Sequence, residues 1–441
     1  MGHRVRAEIL TIGDELLRGE IVDSNKAFLA ERLLTLDVEC RHQISVCDDP
    51  MDMTEAFRIA VGRADIVLVS GGLGPTRDDL TAEVLAQAFG RELCLDESSL
   101  ETIRAFFKNV GREMSPNNAK QAYFPTAAEV LPNPLGTAPG FMIEEGGSLV
   151  FCLPGVPREL HRMMDEEVLP RIASSAAGQR QTRFVSAVLL STFGIGESTL
   201  DAELKDVAAG GDVSLGFRTS FPDNHLRPIA FGASAEEADR KLAELVSVIR
   251  ERLGPVLYGE GGEDMPQVVG RLLRERGQTL AVAESCTGGL IAEKLTGVPG
   301  CSDYFLGGVV AYANDAKSAL LGVPAPVLES HGAVSEPTAR AMAEGVRERF
   351  GADIGVATTG ISGPGGGSEE KPVGLVYVAL ASSGGTIVED FVFPLDRVRH
   401  RALTAQLVLD WVRRSLLGLE LVGPSLLRRG GGGSMPGRRS E

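Results

Sequence analysis

The sequence predicts an α/β protein of several domains, and three observations carry this. Residues 1–170 alternate short apolar runs with amphipathic ones, the order of a parallel sheet with helices on its faces. Residues 171–255 change pattern, placing strand candidates ahead of one long amphipathic helix, as an α+β module does. From 264 to 419 the alternation returns, with glycine-dense loops at the ends of apolar runs. A chain of 441 residues holds about three domains of ~150 residues, each able to bury its own core.

In the first domain, residues 7–12 read as a strand, and Ser24 caps a helix whose Ala27, Leu29, Leu33 and Leu36 are apolar. Residues 64–69 are nearly all apolar, as a strand covered on both faces should be. They run into the glycine-rich stretch 71–81 and a helix through Phe89. A third strand, 149–153, ends at Pro154-Gly155-Val156-Pro157. Ligands of such sheets collect at the carboxyl ends of strands, where these loops stand. Gly71, Gly72 and Gly74 let backbone N–H groups face phosphate oxygens, and Asp78 and Asp79 could hold a divalent cation on the same phosphates. A plain tight turn, with Asp79 capping the next helix, reads from the same residues. Gly13-Asp14-Glu15, Asp48-Asp49-Pro50, Asn117-Asn118, Lys120 and 136–140 are further polar or glycine-rich patches, and so many in one domain favour a site.

In the middle segment, residues 185–190 alternate loosely, and Gly194-Ile195-Gly196-Glu197-Ser198 leads into a short helix through Leu204. Residues 213–217 and 226–232 are strand candidates; 235–253 is an amphipathic helix with Ala238, Leu242, Leu245, Val246 and Ile249 on one side. The Gly194 loop lacks the flanking Lys and Arg that a nucleic-acid clamp needs, which favours a structural spacer.

The last segment is organised around Ala283-Glu284-Ser285-Cys286-Thr287-Gly288-Gly289, between the apolar run 279–282 and the apolar-periodic stretch 290–295. A hydroxyl at such a strand-to-helix turn sits beside unpaired N–H groups and a helix dipole, where an oxyanion is stabilised. Ser285 or Thr287 as a simple N-cap is the alternative. A serine nucleophile needs a base. His331 and His400 are the histidines of this segment and leave a Ser-His-Asp triad open. Lys317, following Tyr312-Ala313-Asn314-Asp315 at a strand end, is the better candidate. Lowering its pKa from ~10.4 to near 7 takes about 4 to 5 kcal/mol, which burial can supply; a solvated surface lysine is the alternative. Cys286 has no neighbouring histidine and reads as packing. Residues 359–367 can present amides to a phosphate, and Arg399 offers it a bidentate partner. Strands at 304–312, 354–358, 374–381 and 386–393 and helices at 337–350 and around Trp411 complete the segment. Residues 424–441, glycine-rich and without apolar periodicity, are expected to be a disordered tail.

A net charge of −16 argues against sequence-independent binding of nucleic acid, and the 53 glycines point to a small-molecule protein that handles phosphates. Six cysteines without close paired spacing argue against a zinc site and a disulfide framework. No run approaches the ~18 apolar residues of a membrane span and no basic-then-apolar leader opens the chain, so a cytoplasmic location is expected.

Residues 11–16, the 71–81 loop, 136–140 and 153–157 resemble the amino-terminal domain of the CinA (competence/damage-inducible) family, related to the molybdopterin-binding fold of molybdenum cofactor biosynthesis. The resemblance implies a molybdopterin-binding-like α/β sandwich over 1–170 that cleaves ADP-ribose to AMP and ribose 5-phosphate, assisted by a divalent metal of the Mg, Mn or Co type. Asp79 matches the acidic residue of the molybdopterin domains' Gly-Gly-Thr-Gly loop and Asp49 their second acidic position. Asp49, Asp78 and Asp79 are the implied metal ligands, Asp79 also being catalytic; Gly71, Gly72, Gly74, Thr76, Asn25, Lys120 and Gly155 are the implied substrate contacts. Leu73 stands where those enzymes usually have Thr. The β-α-β-β-α order of 171–255 resembles the KH-like module that links the two ends of CinA proteins.

Residues 284–289, 312–317, 358–364 and Arg397 with Arg399 resemble the carboxy-terminal CinA domain, the family of nicotinamide mononucleotide (NMN) amidohydrolases, over 264–419. This implies that Ser285 attacks the carboxamide, Lys317 takes its proton, Tyr312 supports the pair, and ammonia leaves to give nicotinate mononucleotide without a cofactor. Thr287, Gly288, Gly289, Thr359, Gly360, Ser362, Gly363 and Arg399 are the implied substrate contacts. A homodimer acting in pyridine-nucleotide salvage is expected; a non-catalytic DNA-uptake or repair accessory, or a pterin-binding first domain, are the rivals.

Overall fold

The computed structural model describes residues 4–175, 183–208 and 210–425. All but the first two residues of the expected disordered tail lie outside the described residues. The chain divides into two compact units, 1–186 with 230–241 and 187–229 with 242–441.

The first part of the chain contains strands β1 (Arg6–Ile12), β2 (Glu39–Val46), β3 (Ile66–Ser70), β4 (Leu93–Leu95), β5 (Tyr123–Pro125), β6 (Glu129–Leu131), β7 (Gly140–Glu145) and β8 (Ser148–Leu153). Its helices are α1 (Asp14–Leu17), α2 (Ser24–Leu34), α3 (Pro50–Arg63), α4 (Thr81–Ala88), α5 (Glu97–Asn109), α6 (Pro157–Met163) and α7 (Leu169–Ser174). A six-stranded sheet runs in the order β2-β1-β3-β8-β7-β6, parallel from β2 to β8 and antiparallel beyond. Every residue of β3 is buried. Val67 and Val69 pack with Met53, Phe57 and Val84 on one face, while Ile66 and Leu68 pack with Leu29, Leu33 and Leu160 on the other. Successive side chains of a strand point to opposite faces, so helices on both sides favour apolar residues throughout, and the polar Ser70 at the strand's end is buried with a hydrogen bond from Asn25. The parallel order places the Gly13, Gly71 and Gly155 loops at the carboxyl ends of β1, β3 and β8.

The middle of the chain holds β9 (Phe184–Ala187), β10 (Leu190–Phe193), α8 (Glu197–Leu204), β11 (Val213–Ser220), β12 (Asp223–Gly232), α9 (Ala235–Leu253) and β13 (Leu257–Glu260). The single strand expected at 185–190 is two short ones, β9 and β10, both pairing with β12. Its loose alternation was the seam between them. Leu190, Leu200, Leu226, Leu245 and Ile249 form a core. Phe193 and Tyr258 instead join the core of the carboxy-terminal sheet, with Met265, Val269 and Trp411.

The carboxy-terminal elements are α10 (Met265–Arg276), β14 (Leu280–Glu284), α11 (Leu290–Thr296), β15 (Phe305–Val310), α12 (Asn314–Leu321), α13 (Ala325–His331), α14 (Glu336–Phe350), β16 (Ile354–Gly360), β17 (Leu375–Ser382), β18 (Gly385–Val392) and α15 (Arg397–Leu417). The sheet order is β15-β14-β16-β17-β18, with β14 parallel to both its neighbours and the rest an antiparallel meander. Leu280 and Val282 of β14 pack with Val269, Leu273, Leu403 and Leu407. Ala281 and Ala283 pack on the other face with Met342, Ala343 and Val346 of α14. On α14, a Cβ at Gly345 would collide with the Leu321 carbonyl oxygen that ends α12, so glycine is what lets the two helices meet. Among the described residues no helix is long and apolar enough to cross a membrane.

Candidate active site

β14 ends at Glu284, whose side chain has no solvent exposure. Its carboxylate accepts the N–H groups of Gly289 at 2.9 Å, Ile291 at 3.1 Å and Ala292 at 2.9 Å, the orphan donors that open α11. The residue that caps α11 is therefore Glu284, and Ser285 is left free. The expectation that the dipole of this helix faces a reaction centre is corrected, because Glu284 already occupies its positive end.

Ser285 is held by its own N–H, which donates to the Thr358 carbonyl on β16 at 3.0 Å. The hydroxyls of Thr287 and Thr358 pair at 2.8 Å. The Thr287 carbonyl accepts from Arg401 Nε at 3.0 Å and Nη2 at 2.7 Å. Gly288 and Gly289, at φ 62° and 95°, turn the chain into α11. Among the described residues the N–H groups of Cys286 and Thr287 donate to no oxygen. Both follow Ser285 in the chain, and the acceptor within their reach is the Cys286 sulfur.

Lys317 lies on the first turns of α12 with no solvent exposure. Its Nζ lies 3.2 Å from Ser285 Oγ, 2.8 Å from the Ala311 carbonyl and 3.2 Å from the Tyr312 carbonyl. Those carbonyls are free for it because β15 stops at Val310, short of the strand expected to reach Tyr312. Burial pushes the amine below its ordinary value, against a smaller raising effect of Cys286. A carbonyl can only accept. A neutral amine that gives its two N–H groups to Ala311 and Tyr312 thus turns its lone pair toward the Ser285 hydroxyl.

Other expected residues fall differently. Tyr312 serves Lys317 through its backbone carbonyl, while its phenol oxygen accepts from Arg397 Nη2 at 2.9 Å. The Cys286 thiol is pushed up to about 12 by burial, so it stays protonated and inert. His400 pairs with Ser362 at 2.9 Å rather than with Ser285, and His331 contributes a carbonyl to Lys371; no triad is built on either. The Thr359 hydroxyl donates to the Ala333 carbonyl at 2.7 Å. The loop after β16 is tied down at Gly363, whose carbonyl accepts from Arg397 Nη1 at 3.0 Å. Gly360 packs close to Leu375. Arg399 is exposed, 3.8 Å from Asp396 and over the Phe221 ring. Residues two apart on a helix point about 200° from each other. Arg397 and Arg401 thus share the face of α15 that touches the Ser285 loops, and Arg399 does not. Arg401 and Glu284 were missed in the sequence; the i, i+4 spacing of Arg397 and Arg401 was the available signal.

A second set of residues gathers in the amino-terminal unit. Gly71, at φ 111°, donates its N–H to the Leu153 carbonyl at 3.0 Å, and a Cβ there would collide with the Ile12 carbonyl oxygen. Asp79 accepts from Thr76 N at 2.8 Å and Thr76 Oγ1 at 2.6 Å; it folds the loop back on itself and does not cap α4, which has no side-chain cap. Lys120 Nζ donates to the Thr76 carbonyl at 3.2 Å. Asn25 donates to Ser70 Oγ at 3.0 Å and the Gly155 carbonyl at 2.8 Å; its buried Oδ1 has no partner among the described residues. Gly72, Gly74, Asp79 and Lys120 line one cleft.

The carboxylates expected to hold a metal are not brought together. Asp49 caps α3, accepting from Met51 N at 2.8 Å and Asp52 N at 3.3 Å, Asp79 holds Thr76, and Asp78 is exposed. Among the described residues no group of three or more His, Cys, Asp or Glu could hold a metal ion. The crowding falls on Asp48, raised by burial and then by Asp14, Glu15 and Asp78 around it.

Comparison with known proteins covers all three segments. Residues 262–416 match the model described as the CinA C-terminal domain, residues 8–174 a probable molybdopterin binding domain, and residues 188–259 the damage-inducible protein CinA KH domain. A CinA-like protein of Anaeromyxobacter sp. (strain Fw109-5) is 46% identical over 415 residues, covering 93% of this chain and 99% of that protein. A putative competence-damage inducible protein of Clostridium perfringens (strain 13 / Type A) is 43% identical over 417 residues, covering 93% and 99%. Among solved structures, a CinA protein of unknown function from Thermoplasma acidophilum is 37% identical, covers 37% of this chain and 95% of its own, and has a TM-score of 0.35.

Proposed function

The chain belongs to the CinA family, and from that premise we propose that its carboxy-terminal unit hydrolyses the carboxamide of NMN to nicotinate mononucleotide and ammonia. The observation that carries this is the contact of Ser285 Oγ with a buried amine, Lys317 Nζ, at 3.2 Å, whose other partners are two carbonyls.

Neutral Lys317 takes the proton of Ser285 as Oγ attacks the carboxamide carbon. The oxyanion of the tetrahedral intermediate accepts from the N–H groups of Cys286 and Thr287, which Arg401 steadies through the Thr287 carbonyl. Collapse breaks the C–N bond, and Lys317 returns the proton to the leaving nitrogen, releasing ammonia and an acyl-Ser285. Water, deprotonated by the same amine, then frees the carboxylate and restores the serine. The backbone N–H groups of Ser362 and Gly363 and the cationic face of Arg397 and Arg401 receive the nucleotide phosphate. The test is ammonia release from NMN by the purified protein; no release, or release retained by Ser285→Ala, overturns the proposal.

We propose a second activity for the amino-terminal cleft, where Gly72, Gly74, Asp79 and Lys120 converge: cleavage of nucleotide-sugar pyrophosphates, with ADP-ribose giving AMP and ribose 5-phosphate in the presence of a divalent metal. Its support is the convergence of glycine backbone, one cation and one carboxylate, a set suited to a pyrophosphate. Product assays with ADP-ribose, with and without EDTA, test it. Equal rates for wild type and Asp79→Asn remove Asp79 from the reaction, and tighter binding of molybdopterin than of ADP-ribose reassigns the cleft to a pterin.

A further inference from the structure

The glycine-rich loop after β16 leaves and rejoins the sheet at one neck. There Ile361 N donates to the Leu375 carbonyl at 2.8 Å and Gly374 N to the Ile361 carbonyl at 2.7 Å. Between them Pro364 to Glu370 are exposed. At the far end Ser368 N donates to the Lys371 carbonyl at 2.8 Å and Lys371 N to Ser368 Oγ at 3.1 Å, and Lys371 Nζ ties this turn to the His331 carbonyl at 2.7 Å. With glycines at 365, 366 and 367, the stretch between the neck and that turn has little stiffness of its own.

His400, on the first turn of α15, is wholly buried at this neck. Its Nδ1 lies 2.9 Å from Ser362 Oγ on the outgoing limb and its Nε2 3.1 Å from the Gly374 carbonyl on the returning limb. The Gly374 carbonyl can only accept, so Nε2 carries the proton and Nδ1 accepts from the Ser362 hydroxyl. One neutral ring therefore joins both limbs. Burial, and then nearby Arg397, hold the imidazole below its ordinary value, against the Gly374 contact, which raises it. Arg397, one turn earlier on α15, ties the adjacent Gly363 to Tyr312 and so to the Ser285 site.

We propose that His400 is a positioning residue for NMN: by stapling Ser362 to Gly374 it holds the loop's backbone donors in place for the nucleotide half of the substrate, while Ser285 and Lys317 act on the carboxamide. This rests on the amidohydrolase assignment above. The staple acts on binding and leaves the chemical step alone.

The test combines steady-state kinetics on NMN with hydrogen exchange of residues 362–374 in full-length wild type, His400→Phe, His400→Gln and Ser362→Ala. Loss of the staple should raise KM about tenfold with kcat within about twofold, because uniform binding is removed while transition-state contacts persist. Exchange in the loop should quicken in His400→Phe and Ser362→Ala. His400→Gln, whose amide reaches the Gly374 carbonyl, should recover part of both effects. Should His400→Phe prove unfolded by its thermal melt, Ser362→Ala carries the comparison through loop exchange measured without NMN, which loss of a direct contact with the substrate would leave unchanged. Wild-type turnover with unchanged KM and exchange in the variants overturns the staple alone, as does a fall in kcat at constant KM. Absence of turnover in the wild type overturns the amidohydrolase assignment and the positioning role together.

Discussion

Ser285 and Lys317 make one catalytic unit only if the amine is neutral when it meets the hydroxyl. The downward shift of Lys317 by burial fixes the sign of the pH dependence: kcat/KM on NMN falls as pH drops through the depressed lysine value, because protonation removes the base, and it levels off above. A profile flat across that acid limb would count against Lys317 as the base. Lys317→Met and Ser285→Ala should each lower kcat/KM by about a thousandfold or more while the thermal melt shows a folded protein. Both residues were legible in the sequence, since a hydroxyl at a strand-to-helix turn and a lysine at a strand end are local patterns. The contacts that decide their chemistry were not. Ala311 and Tyr312 act through carbonyls, which leave no mark in residue type. Arg399 was read as the phosphate's partner, and Arg401, which reaches the Thr287 carbonyl from the other face of α15, was missed.

At the scale of elements, α11 is a short helix whose opening depends on one buried carboxylate. Glu284→Ala removes the acceptor of three N–H groups and should cost about 3 kcal/mol, read by chemical denaturation, with Ser285 mispositioned as a consequence. Where α14 crosses α12, Gly345→Ala places a methyl against the Leu321 carbonyl. It should destabilise by about 1–3 kcal/mol and reduce turnover on NMN, because α12 carries Lys317. Unchanged stability would mean that the helices part without cost. The strands were legible where burial on both faces leaves a nearly unbroken apolar run, as over Ile66–Val69 of β3. They were not legible at 184–193, where two short strands share one partner and no turn residue marks the break.

Across the molecule, the tripartite order was readable because each segment has its own periodicity. Less readable was the sharing of cores, as when Phe193 and Tyr258 of the middle segment pack with Trp411. Both carboxylate oxygens of Asp223, at the start of β12, accept from Gln406 Nε2 on α15, at 2.8 and 3.0 Å. Burial raises its carboxyl to about 7 against the lowering effect of Gln406. An acid raised on folding contributes stability that is fully present below its unfolded value, ~3.9, and is lost as pH climbs through about 7. Asp223→Asn should therefore stabilise the protein at pH 8 and do much less at pH 5, as urea midpoints would show; equal shifts at both values would contradict it. The shared core has a practical corollary for dissecting the chain. A fragment beginning at residue 262 would lose Phe193 and Tyr258 from the packing around Trp411 and strip Gln406 of its carboxylate. Solubility trials of such a truncation should favour variants in which the newly bared apolar side chains are replaced by polar ones.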